Sequence, residues 1–365
     1  MADAGALGAY LANFPETPGY LDFARFSPPS TAVASAVQNA WQASMTADGV
    51  DERAAVSAAV ASASRVTGAP AERIALTGST SLGLFHIAFG VPGGEVLLSD
   101  GEFPAHLYAW WRAAQSGRVH VRSLPGSLLD PVTPDRVADA LRPETHAVAV
   151  SAVDFRTGFR ADLAGIREVI GDRLLIVDAI QAAGAVDLSW PHADAVVAGG
   201  QKWLRAGWGT GMIVLSERAV DRLEPRLTGW SGVQHPARYD GSPHPVSGGA
   251  APMSMTNDSA YAATAFAAAL DLIAGTGISA IEARIATLVG ALDGALRSSG
   301  RAVLSPERPE DRAGIVVVRA KGAPDVAARL RKAGIRVTAH DDDRIRISVH
   351  ATTRPGDLER LIDLL

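Results

Sequence analysis

Short runs of β-branched and aliphatic residues recur through the first two thirds of the chain, with longer alanine-rich stretches between them. The runs at 73–76, 94–100 (GEVLLSD), 118–124, 146–154 (HAVAVSAVD), 173–179 (RLLIVDA), 193–198 and 211–215 have strand length. Helix-length segments lie among them at 81–89, 107–114, 134–141 and 163–170. This alternation predicts βαβ units. Because the runs are apolar at successive positions, they predict a mostly parallel seven-stranded sheet covered by helices on both faces. The stretch 217–256 is rich in Gly and Pro and reads as loop. Helices are expected at about 259–274 and 279–298, and 302–365 alternates strand, helix, strand and helix, as in a small α/β domain. The expected organisation is an N-terminal segment (1–20) packing on the small domain, a large domain (21–255), and connecting helices with the small domain (256–365).

With 365 residues the chain can bury a large core. A net charge of −5, spread along its length, offers no footprint for nucleic acid or an anionic membrane. No 18-residue stretch is apolar and uncharged; the nearest, 261–283, contains Asp271 and Glu282. Residues 1–21 lack the basic start and apolar core of a signal peptide, so a cytoplasmic protein is expected. Cysteine is absent. That removes disulfides, thiolate metal sites and thiol nucleophiles, and no metal site is expected. Lysine occurs only at positions 202, 321 and 332, so any lysine chemistry has three candidates.

In an open α/β sheet, ligands sit beyond the C-terminal strand ends, and four of those ends carry suggestive groups. Thr77-Gly78-Ser79-Thr80-Ser81 precedes an apolar helix. Its free N–H groups and hydroxyls suit a phosphate, and equally suit a plain helix cap. Asp178 closes LLIVD, where a carboxylate leaving a buried strand needs a partner, a function or a helix to cap. Lys202 lies in Gly199-Gly200-Gln201-Lys202-Trp203, where desolvation would free its amine for imine chemistry. Phe103 lies in Gly101-Glu102-Phe103-Pro104 at the same edge. A phosphate cup, a strand-end aspartate, an aromatic and a lysine together suit pyridoxal 5′-phosphate.

On these motifs the chain resembles the class V aminotransferase group of fold-type I pyridoxal-phosphate enzymes. Tyr20-Leu21-Asp22-Phe23-Ala24 is similar to the group's opening YLDNA segment, and Val177-Asp178-Ala179-Ile180-Gln181 to its VDAAQ strand end. Gln201-Lys202-Trp203-Leu204 resembles its lysine motif, and Arg344-Ile345-Arg346-Ile347-Ser348 its late RVS strand. The resemblance implies that Lys202 binds the cofactor aldehyde and later carries the α-proton. Asp178 would pair with the pyridine nitrogen, Gln181 would lie near the ring hydroxyl, Ser79 and Thr80 would bind phosphate, and Phe103 would stack on the ring. Gln201 and Asn257 join this cofactor set. Arg346 would take the substrate carboxylate as a bidentate pair.

Phe103-Pro104 with Leu107-Tyr108 resembles a kynureninase segment, and Phe155-Arg156-Thr157-Gly158 an isopenicillin-N-epimerase-like one. Trp230 and Asn257 fall near kynureninase's substrate contacts. Gln201 and Gln181, however, replace that enzyme's tyrosine and histidine. Arg156, Trp230, His106 and His235 are side-chain-pocket candidates, each equally suited to a structural place. Cysteine desulfurases, which use a catalytic cysteine and stack a histidine on the ring, are excluded by this reading. Relatives that carry serine three residues before the lysine contrast with Gly199 here. The expected activity is that of an aminotransferase on an α-amino acid. A β-lyase, a kynureninase-like hydrolase or an epimerase stands behind it, and a catalytically idle cofactor-binding homologue is the alternative of another class. The resemblance also implies a homodimer, in which the 228–258 segment reaches the neighbouring site.

Overall fold

The structure is a computed structural model that describes residues 2–15, 18–188 and 190–365. Met1, Glu16 and Thr17 of the N-terminal segment and Ser189 lie outside them.

The chain begins with α1 (Ala2–Ala12), α2 (Thr31–Ala43) and α3 (Glu52–Thr67), then enters the sheet at β1 (Ile74–Leu76). Strands and helices alternate from there: α4 (Thr80–Gly90), β2 (Glu95–Leu98), α5 (Pro104–Gln115), β3 (His120–Ser123), α6 (Pro134–Ala140), β4 (Thr145–Ser151), α7 (Leu163–Ile170), β5 (Leu174–Asp178), β6 (Ala195–Gly199) and β7 (Gly211–Leu215). The sheet order is β1-β7-β6-β5-β4-β2-β3. Only β7 runs against its neighbours, pairing antiparallel with β1 and β6.

The apolar runs explain the layering. Leu174 and Ile176 of β5 belong to one core cluster, Leu175 and Val177 to the other, so successive residues feed opposite faces. Helix α4 lies close against one face: a Cβ on Gly83 would stand 2.5 Å from Val197 Cγ1. β3 departs from the expected buried run. It is an edge strand with only β2 beside it, and His120 and Ser123 are exposed. Edge position removes the second apolar neighbour that burial requires.

The stretch expected as loop contains α8 (Glu217–Arg222), started by Ser216, whose side chain accepts from Ala219 N. Beyond it come α9 (Ala260–Thr276), which packs on α2 and α3, and α10 (Ile278–Ser298). The C-terminal part has one strand more than expected: β8 (Ile315–Arg319), α11 (Ala323–Lys332), β9 (Thr338–His340), β10 (Arg344–Ser348) and α12 (Pro355–Leu364). β9 has only three residues, too few for an alternating pattern to stand out. These strands form an antiparallel sheet in the order β8-β10-β9. The end of the N-terminal segment and the residue after it are stitched to it: Arg336 N donates to Gly19 O at 2.8 Å, Leu21 N to Arg336 O at 2.9 Å, and Ser348 N to Leu21 O at 2.9 Å. Among the described residues no single helix is long and apolar enough to cross a membrane.

Candidate active site

β4, β5 and β6 run parallel and end together, so Ser151, Asp178 and the Gly199–Lys202 turn emerge on one edge. Asp178 is buried. Its Oδ1 accepts from Ile180 N at 2.9 Å, and turns follow it, so it does not cap the helix that the sequence also allowed. Burial pushes its carboxyl above the ordinary aspartate value, opposed by the charge of His106.

The lysine turn is built by close approach. A Cβ on Gly199 would stand 2.5 Å from Gln201 Oε1 and 2.8 Å from Thr80 Oγ1, and one on Gly200 would meet Thr210 Oγ1. Past the turn, Arg205 takes the left-handed conformation (φ 59°), and its Nε donates to Pro28 O at 2.8 Å. So held, Lys202 is only 9% exposed, with Nζ 5.4 Å from the centre of the Phe103 ring. Burial first, and the charge of Arg346 second, lower its amine to about 8.

Helix α4 starts at this edge. Ser79 is its N-cap, accepting from Leu82 N at 3.2 Å, while Thr80 Oγ1 is buried with no partner. Asn257 lies beside the same turn, on a cavity of about 250 Å³ that Thr77, Gly78 and Thr210 also line. Phe103 is the N-cap residue of α5 and meets Phe155 edge-on at 5.1 Å. Gln181 has a task that its sequence position did not reveal: its Nε2 donates to Ala24 O at 3.0 Å and its Oε1 accepts from Trp203 Nε1 at 2.8 Å.

From the smaller sheet, Arg346 of β10 reaches the same place. Its Nη1 donates to Phe155 O at 3.4 Å, its Nη2 stands 4.0 Å from Asp22 Oδ1, and its Nε is buried without a partner. Burial brings the guanidinium down to about 10. Asp22 is anchored by Thr338 Oγ1 at 2.5 Å. Its place in the YLDFA segment was visible in the sequence, but its pairing with Arg346 was not. His340 was not foreseen at all. It meets Phe155 edge-on at 5.8 Å, its Nε2 is buried and unpartnered, and burial with the charges of Arg346, Arg344 and Arg156 lowers it to about 4. Arg156 donates to Gly101 O and stands over the Phe155 ring at 4.5 Å.

Three of the pocket candidates are not joined to the Lys202 group by any contact among the described residues. His106 is fully buried, bound through Nδ1 to Glu102 Oε2 at 3.2 Å, and its charge acts on Asp178. Trp230 and His235 are exposed on the 225–258 segment, and no contact joins them to the Lys202 group among the described residues.

The donor set fits pyridoxal 5′-phosphate. An orphaned hydroxyl on Thr80, at a helix N-terminus, offers a bond to a phosphate. A desolvated lysine and a buried strand-end carboxylate complete the match.

Comparison with known proteins agrees. The family model described as aminotransferase class-V matches residues 31–344. A kynureninase from Deinococcus radiodurans is 34% identical over 179 residues, 46% of this chain and 42% of that protein. The chain thus spans less than half the length of that relative. The isopenicillin N epimerase of Streptomyces clavuligerus is 30% identical over 295 residues, covering 74% of this chain and 73% of the epimerase. Among solved structures, the apo cysteine desulfurase of Thermococcus onnurineus NA1 superposes with a TM-score of 0.85 at 20% identity, over 95% of this chain and 93% of that one. The cystine C-S lyase C-DES, in complex with cysteine persulfide, gives 0.86 at 20% identity over 95% and 96%. The fold is therefore fold-type I. These structures also correct one expectation: missing cysteine does not set the chain apart from the cysteine desulfurases, whose fold it shares nearly end to end. A residue type decides one chemical step, not which branch of a shared scaffold a chain stands in.

Proposed function

The chain belongs to the aminotransferase class-V family of pyridoxal 5′-phosphate-dependent enzymes, and from that premise we propose that it is an aminotransferase for a small α-amino acid. The observation that carries this reading is Lys202, a buried amine beside Phe103 that senses Asp178, Asp22 and Arg346 at once. Bound there, the cofactor supplies an aldehyde for amines and a protonated ring that draws electrons from the substrate's α-carbon.

The protein's own groups divide the remaining work. Thr80 and the α4 N-terminus would hold the phosphate, joined by Ser79, Gln201 and Asn257. Asp178 would pair with the pyridine nitrogen, and Phe103 would cover the ring. Arg346 offers its unpartnered Nε and an Nη to the substrate carboxylate. Lys202, with an amine near 8, takes the proton from Cα and returns it. Gln181 acts through Trp203, bracing the lysine turn. Arg156 and His340 stand at the Phe155 side, where the substrate's side chain would lie. Most of the cofactor groups come from 21–255, Asn257 and Arg346 come from 256–365, and two copies pair as a homodimer.

Where the proton returns decides the reaction. Similarity to an epimerase across three quarters of the chain supports a second reading, in which it returns to Cα on the opposite face. Incubating the loaded enzyme with a panel of amino acids separates these outcomes. Accumulation of pyridoxamine phosphate is the expected result. Loss of optical activity without it would favour the epimerase, and release of alanine or pyruvate without it a lyase or kynureninase-type reaction; either would overturn the aminotransferase assignment. Absence of a ~420 nm band after loading would remove the cofactor reading altogether.

A further inference from the structure

Fastened to Ser151, the neighbour of Asp178 across the β4–β5 register, is a charged pair that none of the functions above uses. Glu102 and His106 are four residues apart across the start of α5, with side chains 4% and 0% exposed. Glu102 Oε1 accepts from Ser151 N at 2.9 Å, and Glu102 Oε2 accepts from Ser151 Oγ and meets His106 Nδ1 at 3.2 Å. Ser151 is the residue directly opposite Asp178 in the β4–β5 register, so the pair is fastened beside the aspartate's own position. His106 Nε2 is buried and has no partner. A bare polar nitrogen in so closed a place is costly unless a nearby charge offsets it.

We propose that Glu102 and His106 are positioning residues for the reaction. Glu102 binds the Nδ1–H, and the doubly protonated imidazole turns its other N–H toward Asp178, holding that carboxylate ionised to face the cofactor's pyridine nitrogen. The inference rests on the reading of Asp178 given above. An anionic carboxylate is required there, because only the charged form stabilises a protonated ring, and burial by itself favours the neutral acid. The charged and titratable groups facing the pair bear this out. Asp178 and Glu102 both push His106 above the ordinary histidine value, against its burial. Burial works to raise Glu102 too, yet His106 and Ser151 hold it below the ordinary range. The charge of Lys202 also acts to lower Asp178, more weakly than that of His106. Asp154, raised by its own burial and by the charge of Glu102, completes the set.

Two measurements on the full-length protein test this. Ring-¹⁵N NMR, with and without cofactor, reads the imidazole directly, and His106→Gln assigns its signals. Both nitrogens should carry protons at about pH 8, well above the ordinary histidine pKa, and Glu102→Gln should leave a neutral ring. A neutral ring in the wild type at that pH overturns the proposal. Equilibrium dialysis against pyridoxal 5′-phosphate gives the second readout. Glu102→Gln, His106→Gln and Asp178→Asn should each bind about tenfold more weakly, the equivalent of one pKa unit of lost charge interaction. If Asp178→Asn weakens binding while the other two variants bind as wild type, the positioning role is wrong and the reading of Asp178 stands. If Asp178→Asn binds unchanged, the reading of Asp178 fails and the proposal with it.

Discussion

At the scale of single residues, Lys202 and Gly199 show how much of the site is local physical chemistry. The lysine amine lies near 8 because burial and Arg346 both disfavour its charged form. The sign follows: above about 8 it is a free nucleophile, two units or more earlier than an ordinary lysine. Acylation of the cofactor-free protein, followed at Lys202 by peptide mapping, should therefore rise with pH to a midpoint near 8. A midpoint near the ordinary lysine value would show the amine to be solvated. Lys202→Ala should also abolish the ~420 nm band of the loaded protein. Gly199 supports the opposite kind of prediction. Its missing Cβ leaves room for Gln201 Oε1 and Thr80 Oγ1. Gly199→Ala should force those groups aside at a cost of about 1–3 kcal/mol, read as a lower unfolding midpoint or weaker cofactor binding. These residues were legible in the sequence because each stands in a short motif at a strand end. Asp22, His340 and the Glu102–His106 pair gain their meaning from partners more than forty residues away or from buried orphan atoms, and no local pattern encodes either.

At the scale of elements, the parallel strands were readable because burial on both faces leaves uninterrupted apolar runs, as in LLIVD and AVVAG. The edge strand β3 and the three-residue β9 lacked that signal, and α8 was hidden in a stretch dominated by Gly and Pro. The fit of α4 to the sheet depends on one missing side chain. Gly83→Ala would bring its Cβ to 2.5 Å from Val197 Cγ1 and 3.2 Å from Ile213 Cγ1, lifting the helix whose N-terminus carries Ser79 and Thr80. The expected result is a loss of about 1–3 kcal/mol in chemical denaturation, together with weaker cofactor binding. Unchanged binding would mean that the phosphate groups do not depend on the helix's seat.

At the scale of the whole molecule, several large apolar side chains face outward, among them Trp208 (69% exposed), Trp230 and Met255. Scattered exposure needs no explanation, but bulky aromatics on the 208–256 stretch, beside the cavity that Asn257 lines, suit contact with a second copy. Sedimentation equilibrium should give twice the chain mass of 37.9 kDa, and Trp208→Glu with Trp230→Glu should shift it toward the monomer. A native monomer with full cofactor affinity would refute this. The stitching of Leu21–Ala24 to β10 has a consequence of a different kind. Ala24 N donates to Ser348 Oγ, and Asp22 stands against Arg346, pairs separated by more than three hundred positions. Closing so long a loop costs only slightly more entropy than closing a short one, but neither contact can form until β10 has left the ribosome. During synthesis the buried Leu21–Ala24 segment must wait, unpaired, while the seven-stranded sheet assembles ahead of it. Stalling or clipping the nascent chain before Arg344 would leave that sheet with its lysine and no arginine opposite.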